Sequence, residues 1–173
     1  MKRQAPDVYV FAAYSGTGKT TYLTGLIPCL KAKGLRVAAV KHDVHGLSLD
    51  VPGKDSRRLA EAGTDTVAVV SGRECLLVEP APLTLEAVLR RLPPADIVLV
   101  EGFRDSPWPK IVLYRQGAGQ PPAADLTACA ALVTDTPMVC ACPAFPLNDP
   151  EPLAAWMAAR RHGRKDGPIA HHH

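Results

Sequence analysis

Short apolar runs alternate with helical patterns along this chain. "DVYVFAA" at residues 7–13 is a continuous apolar run that ends before glycines, as a parallel strand buried on both faces would. "TTYLTGLIPCLKAKG" places Leu23, Leu26, Ile27 and Leu30 at helical spacing and stops at Gly34. "LRVAAVKHD" is a second strand and "KDSRRLAEAG" a short helix. "DTVAVVS" is a strand, with "ECLLVEP" as its hairpin partner or an edge strand. "TLEAVLRRL" reads as an amphipathic helix with Thr84 as N-cap. After the break at "PP", "ADIVLVEGF" has the most buried character of any strand. "PKIVLYR" and "CAALVTD" are further strands, separated by the loop "QGAGQPPAAD", and "DPEPLAAWMAARRHGR" is a closing helix. Strands that alternate with helices predict an α/β fold of three layers, with a largely parallel sheet flanked by helices.

Composition narrows this picture. A chain of 173 residues, 47% hydrophobic, suits one domain, placed at 1–162, with 163–173 as a polar tail. The last three histidines resemble part of a purification tag or else a disordered native end, and no site role is expected of them. A net charge of +3 gives no strongly basic face, so no nucleic-acid partner is expected. No apolar run approaches the roughly 20 residues of a membrane span, and the apolar stretch of "MKRQAPDVYVFAAYSG" is too short for a signal peptide, so no membrane contact and a cytoplasmic location are expected. The five cysteines, Cys29, Cys75, Cys129, Cys140 and Cys142, are odd in number and lie mostly in apolar segments, which suits reduced thiols. The C-x-C pair in "VCACP" is expected on a strand, and not as metal ligands.

Chemistry begins where the first strand meets the first helix. "FAAYSGTGKTTYL" nearly spells the phosphate loop G-x-x-x-x-G-K-[ST], with Ala13 in place of the first glycine. In "SGTGKTT", Ser15 to Thr21, the backbone N–H groups of Gly16, Thr17, Gly18 and Lys19 can wrap a phosphate, and the helix adds its positive end. Lys19 would bridge phosphate oxygens, and the Thr20 hydroxyl would ligate Mg²⁺. Such a site also needs an acid. Asp96 and Glu101 lie at opposite ends of "DIVLVEGF", and ligands of open parallel sheets sit at the carboxyl ends of strands, which selects Glu101. Glu101 would hold Mg²⁺ or orient an attacking water; Asp96 is read as structural.

The loop after the second strand, "KHDVHGLSLDVPGKDSRR", leaves the same end of the sheet and is crowded with polar groups. Lys41, His42, Asp43 and His45 stand at its start, and Asp50, Lys54, Asp55, Ser56 and Arg57 near its end, where a nucleotide-responsive switch belongs. His42 and His45 are candidates for a metal or a phosphate-bearing partner, or for ordinary loop hydrogen bonds. Arg57 and Arg58 open a helix, a placement opposed by the dipole unless an anion lies nearby.

The segments "FAAYSGTGKTTYLTGLIPCL", "VKHDVHGLSLDVPGKDSRRLAEAG", "VLVEGF" and "PKIVLYRQGAG" together resemble the MobB family, the molybdopterin-guanine dinucleotide biosynthesis adapter proteins. The likeness runs in order from about residue 8 to about 120 and weakly beyond, and its second block is the specific one. Ala13 fits it, since members of that family are relaxed at the first glycine. The resemblance implies a P-loop NTPase fold, GTP and Mg²⁺ as cofactors, weak hydrolysis and a homodimer. It also implies a protein partner, the molybdenum cofactor guanylyltransferase that attaches GMP to molybdopterin, so that molybdopterin is met only indirectly. Where the family often has "H-T-H-H-D", this chain has "HDVHG", so a role for the middle histidine does not carry over.

Base selection is less marked. The N-K-x-D signature of many GTPases is absent, and Asp135 in "LVTDTP" is the candidate to accept hydrogen bonds from guanine; it is also a common turn-starter before Thr-Pro. Two other readings stay open: a small-molecule kinase using Lys110 and Arg115 as acceptor-site cations, and a metal-delivery GTPase using His42 and His45. The loop "LYRQGAGQPP" is a candidate dimer or partner surface.

Overall fold

A computed structural model of the chain describes residues 4–42, 55–79 and 83–163. Its contacts divide into two compact units, one built from the described residues of 1–42 and 91–173, the other from those of 43–90.

The first unit is a six-stranded sheet. In chain order its strands are β1 (Asp7–Ala12), β2 (Val37–Lys41), β5 (Ile97–Glu101), β6 (Lys110–Tyr114), β7 (Ala131–Thr134) and β8 (Ala144–Pro146). The spatial order is β2-β5-β1-β6-β7-β8, and every pairing in it is parallel. The order reverses beside β1, where phosphate-binding loops of open α/β sheets sit. Strands β1 and β5 are continuous apolar runs because both of their faces are covered: Tyr9 and Phe11 on one face and Val8 and Val10 on the other are all buried.

The helices α1 (Lys19–Ala32) and α4 (Glu151–Gly163) share one core with one face of this sheet. Leu23, Leu26 and Leu30 of α1 and Leu153 and Met157 of α4 pack with Phe11, Leu99, Ile111 and Val133. Pro28 stands inside α1, and the helix ends at Lys33 before Gly34, whose φ of 76° supplies the turn.

The other unit holds α2 (Asp55–Glu61), the antiparallel hairpin β3 (Val67–Val70) and β4 (Cys75–Val78), and α3 (Leu85–Arg91). Thr84 caps α3 as predicted, its hydroxyl accepting from the Ala87 N–H at 3.2 Å. Arg57 pairs with Glu61 at 2.7 Å and Arg58 with Asp55 at 3.9 Å, so the cations opening α2 are balanced within the helix. The expected hairpin is present, and the sheet is parallel throughout where "largely parallel" was expected.

One strand was not expected, and one expectation fails. Strand β8 hides in "PAFP", where flanking prolines mask a strand and are tolerated only because it lies at the sheet edge. Cys140 and Cys142 lie in the loop that leads to β8, not on a strand. The two cysteines are half-buried in that loop, while Val139 beside them is fully exposed.

Asp96 is structural. It sits at the amino end of β5, where both its oxygens accept from the Arg36 guanidinium at 3.0 Å and one from the Arg36 backbone N–H at 2.9 Å. Arg161, 2% exposed in the last turn of α4, adds its charge 3.7 Å from Asp7 and 3.8 Å from Asp96 and donates to the Ala5 carbonyl. The side-chain hydrogen bonds from Arg36 lead the causes that hold the Asp96 carboxyl at about 2, below its usual 3.8. The depressed value means that Asp96 stabilises the fold fully above pH about 4 and that the contribution is lost as pH falls toward about 2. Thermal melts of Asp96→Asn should therefore lie about 1 kcal/mol below the parent at pH 7, a size set by the exposed Arg36 partner. The gap should narrow as pH falls from about 4 toward about 2; a gap that stays constant over that range contradicts the assignment.

Candidate functional site

The phosphate loop joins β1 to α1 as the sequence predicts. Tyr14 to Thr17 form a turn in which the Thr17 hydroxyl donates to the Tyr14 carbonyl at 2.9 Å. Thr17 is 3% exposed, so its side chain braces the loop and only its amide is suited to a ligand. Gly16 and Gly18 have φ of 81° and 91°, the left-handed region that glycine enters without strain. Gly18 is the N-cap of α1 and makes no side-chain cap. The helix thus presents amides and the positive end of its dipole to the loop.

Ala13 raises no difficulty. It is buried at 6% in the core that β1 shares with α1. Among the described residues the one non-glycine with positive φ is Phe103, so position 13 has a backbone that alanine adopts freely.

Glu101 comes to the loop through the sheet. Parallel register sets Glu101 beside Phe11 of β1 and Lys41 of β2, at the carboxyl end of β5. Its carboxylate lies 3.7 Å from the Lys19 ammonium, and the Thr20 hydroxyl lies 3.4 Å from both of its oxygens. Lys19 and Glu101 are each 18% exposed. Tyr14, Ser15, Gly16, Gly18, Lys19, Thr20, Thr21 and Glu101 line one cleft of about 450 Å³. A hydroxyl and a carboxylate beside a lysine offer oxygen donors for a hard cation and a positive charge for a phosphate. These residues fit Mg²⁺ and a polyphosphate.

The turn after Glu101 is tightly constrained. Gly102 has φ of 95° and Phe103 φ of 51°. A Cβ on Gly102 would stand 2.6 Å from the His42 Cβ, and the His42 N–H donates to the Glu101 carbonyl at 2.8 Å. The His42 ring stacks on Phe103 with centroids 4.3 Å apart. His42 therefore buttresses the turn that carries Glu101 and is not among the residues lining the loop cleft. His45, Asp50 and Lys54 lie outside the described residues, and Asp55 opens α2 in the other unit.

Asp135 lies at the end of β7, on the wall of a second cavity of about 400 Å³ with Arg115, Thr134, Phe145, Leu147 and Asn148. One of its oxygens accepts from the Gln116 N–H at 2.7 Å. Arg115 was legible only as a kinase-type cation, yet it ties this cavity to the phosphate loop. Its Nε donates to the Thr17 carbonyl at 3.1 Å, and its guanidinium would meet a Cβ on Gly18 at 3.2 Å. A basic residue closing a strand that neighbours the loop strand was the available signal. Lys110 stands at the opposite end of β6, donating to the Ser106 carbonyl at 2.7 Å.

A glycine-lined loop between β1 and α1, a lysine and threonine at the helix start, and an acid on the adjacent parallel strand define a phosphate-loop α/β protein. Comparison with known proteins makes this specific. The family model for Molybdopterin guanine dinucleotide synthesis protein B matches residues 8–135, and the chain belongs to this MobB family. The chain is 40% identical over 144 residues to the molybdopterin-guanine dinucleotide biosynthesis adapter protein of Escherichia coli K12, covering 80% of this chain and 78% of that one. It is 41% identical over 125 residues to the adapter protein of Haemophilus influenzae, covering 70% of each chain. Among solved structures, a MobB homologue from Bacillus stearothermophilus superposes with a TM-score of 0.64 at 26% identity, covering 91% of this chain and 99% of that one. Bacillus subtilis MobB superposes at 0.68 and 25% identity, covering 90% and 97%.

The geometry ranks the two unusual positions of the site. Ala13→Gly should leave triphosphate affinity within about twofold, since nothing at position 13 asks for glycine. Gly102→Ala should weaken it about tenfold or more, because strain of 1–3 kcal/mol displaces Glu101. Titration with a fluorescent nucleotide analogue checks both, and an unaffected Gly102→Ala would contradict the buttress.

Proposed function

We propose that this chain is a GTP-binding adapter in molybdenum cofactor biosynthesis, assisting the guanylyltransferase that attaches GMP to molybdopterin. The observation that carries the reading is the convergence of Lys19, Thr20 and Glu101 on one cleft in a chain that belongs to the MobB family. The amides of Gly16 to Thr21 and the Lys19 ammonium bind the phosphates, and Thr20 and Glu101 hold Mg²⁺, which supplies charge neutralisation on the phosphate oxygens. Glu101 also orients water for a weak hydrolysis. The adapter relatives from Escherichia coli and Haemophilus influenzae support the pathway.

The Asp135 cavity takes the guanine. Its carboxylate keeps one oxygen on the Gln116 N–H, which fixes its orientation, and offers the remaining acceptor capacity to guanine N1 and N2. Arg115, on the wall of that cavity and bonded to the phosphate loop, joins the two halves of the nucleotide site.

The chain acts as a homodimer. Support comes from the hairpin unit, where Val70 is 73%, Leu77 60%, Leu59 57% and Leu76 51% exposed, an apolar surface of the kind that marks protein contacts. The loop "LYRQGAGQPP", residues 113–122, is the alternative contact surface.

Against the other readings, Lys110 bonds the Ser106 carbonyl at the end of β6 away from the phosphate loop, and among the described residues no three His, Cys, Asp or Glu side chains gather to hold a metal. Placement in the cytoplasm accords with the biosynthetic role; among the described residues no helix is long and apolar enough to cross a membrane.

In a reconstituted guanylylation assay with the partner enzyme, molybdopterin and GTP, adding this protein should raise the yield. Lys19→Ala should remove that gain and weaken GTP binding by about two orders of magnitude. Asp135→Asn should turn the base preference from guanosine toward xanthosine triphosphate, since an amide N–H matches the xanthine oxygen. Equal yield with and without the protein defeats the adapter role, and an unchanged base preference removes Asp135 from guanine.

A further inference from the structure

The parallel pairing of β7 with β8 sets Leu132 opposite Ala144, and the Leu132 N–H donates to the Pro143 carbonyl at 2.9 Å. The segments leading into the two strands therefore run side by side at the amino end of the sheet, opposite the phosphate loop. Each carries a cysteine two residues before its strand, Cys129 before β7 and Cys142 before β8. Both are free thiols and half-buried, and their sulfurs stand 2.8 Å apart across 13 positions of sequence. Cys129 also donates to the Leu126 carbonyl at 3.6 Å, and Cys140 to the Cys142 carbonyl at 3.1 Å. Nothing in the nucleotide site uses these thiols.

We propose that Cys129 and Cys142 form a redox-sensitive dithiol that closes to an intrachain disulfide and staples the edge strand β8 to β7. Disulfide bonding needs two cysteines whose backbones already approach, and adjacent parallel strands provide that without moving the sheet. The oxidant is a small-molecule disulfide such as oxidised glutathione. One cysteine of the pair, as thiolate, attacks a sulfur of the external disulfide; that S–S bond breaks and a small thiolate leaves with the bonding pair. The second cysteine then attacks the mixed disulfide and expels the other small thiolate. Two electrons pass to the external disulfide, and the two protons of the cysteines end on the two released thiols. Burial, followed by the contact with Cys129, pushes the Cys142 thiol up. In reducing compartments such pairs act as sensors more often than as structural bridges.

The staple also reaches the Asp135 cavity. Ala144, Phe145 and Pro146 of β8 form part of its wall, so a bond just before the strand restrains that wall.

The test uses the full chain carrying Cys75→Ser, because Cys75 is exposed and would link copies to each other. After equilibration with oxidised or reduced glutathione, peptide mapping by mass spectrometry without reductant should show a Cys129–Cys142 link in the oxidised sample alone, with two hydrogens lost per chain. The melting midpoint should rise on oxidation by about 5–10 °C, the size expected for a loop of this length. Cys140→Ser should keep the link and the rise, while Cys129→Ser and Cys142→Ser should lose both. Glutathione adducts without the internal link, a dominant link through Cys140, or a midpoint that falls on oxidation would each overturn the proposal. Comparing one protein in two redox states keeps the test valid even if a variant folds poorly.

Discussion

The parallel register between β1 and β5 is the constraint on which the site depends. It sets Phe11 against Glu101, so the strand that feeds the phosphate loop and the strand that carries the acid end at the same height. A slip by one residue would turn Glu101 into the sheet and an apolar residue toward Lys19, because strand side chains alternate faces. The apolar runs on both strands resist that slip: Val10, Phe11, Ile97 and Val100 are all fully buried. The chemistry at one end of the sheet is thus held by packing along its whole length.

The ends of this sheet do different work. At the carboxyl end, glycines with positive φ and a turn pressed against His42 shape the cleft, and close approaches leave no room for side chains at Gly102. At the amino end, the buried charges of Asp7 and Arg161, the half-buried Asp96 and the exposed Arg36 lock β5 and β1 to α4, and Cys129 and Cys142 meet beside the edge strand. Stability devices collect where no ligand is expected, a division typical of open α/β sheets.

Much of this was legible in the sequence, for particular reasons. Continuous apolar runs identified β1 and β5, and the glycines, Lys19 and Thr20 identified the loop, because phosphate binding leaves few residue choices. The choice of Glu101 over Asp96 followed from strand polarity alone, and Asp96 proved to be an ion-pair partner of Arg36. The remainder depended on contacts between distant segments. Nothing local joins Arg115 to Thr17, 98 positions away, or Cys129 to Cys142. Strand β8 was invisible because its prolines spell a loop, and the role of His42 emerged only with its stack on Phe103. Local pattern reports what a segment prefers; it does not report which segment comes to lie beside it.

On the proposed function, Glu101, delivered by β5, completes a Mg²⁺-dependent GTP site with Lys19 and Thr20. Calorimetric titration of GTP in Mg²⁺ and in EDTA, on the parent and on Glu101→Gln, tests it most directly. The account predicts that the parent binds GTP about tenfold or more tightly with Mg²⁺ and that Glu101→Gln loses most of that difference while keeping its metal-free affinity. Equal dependence on Mg²⁺ in both proteins would contradict it.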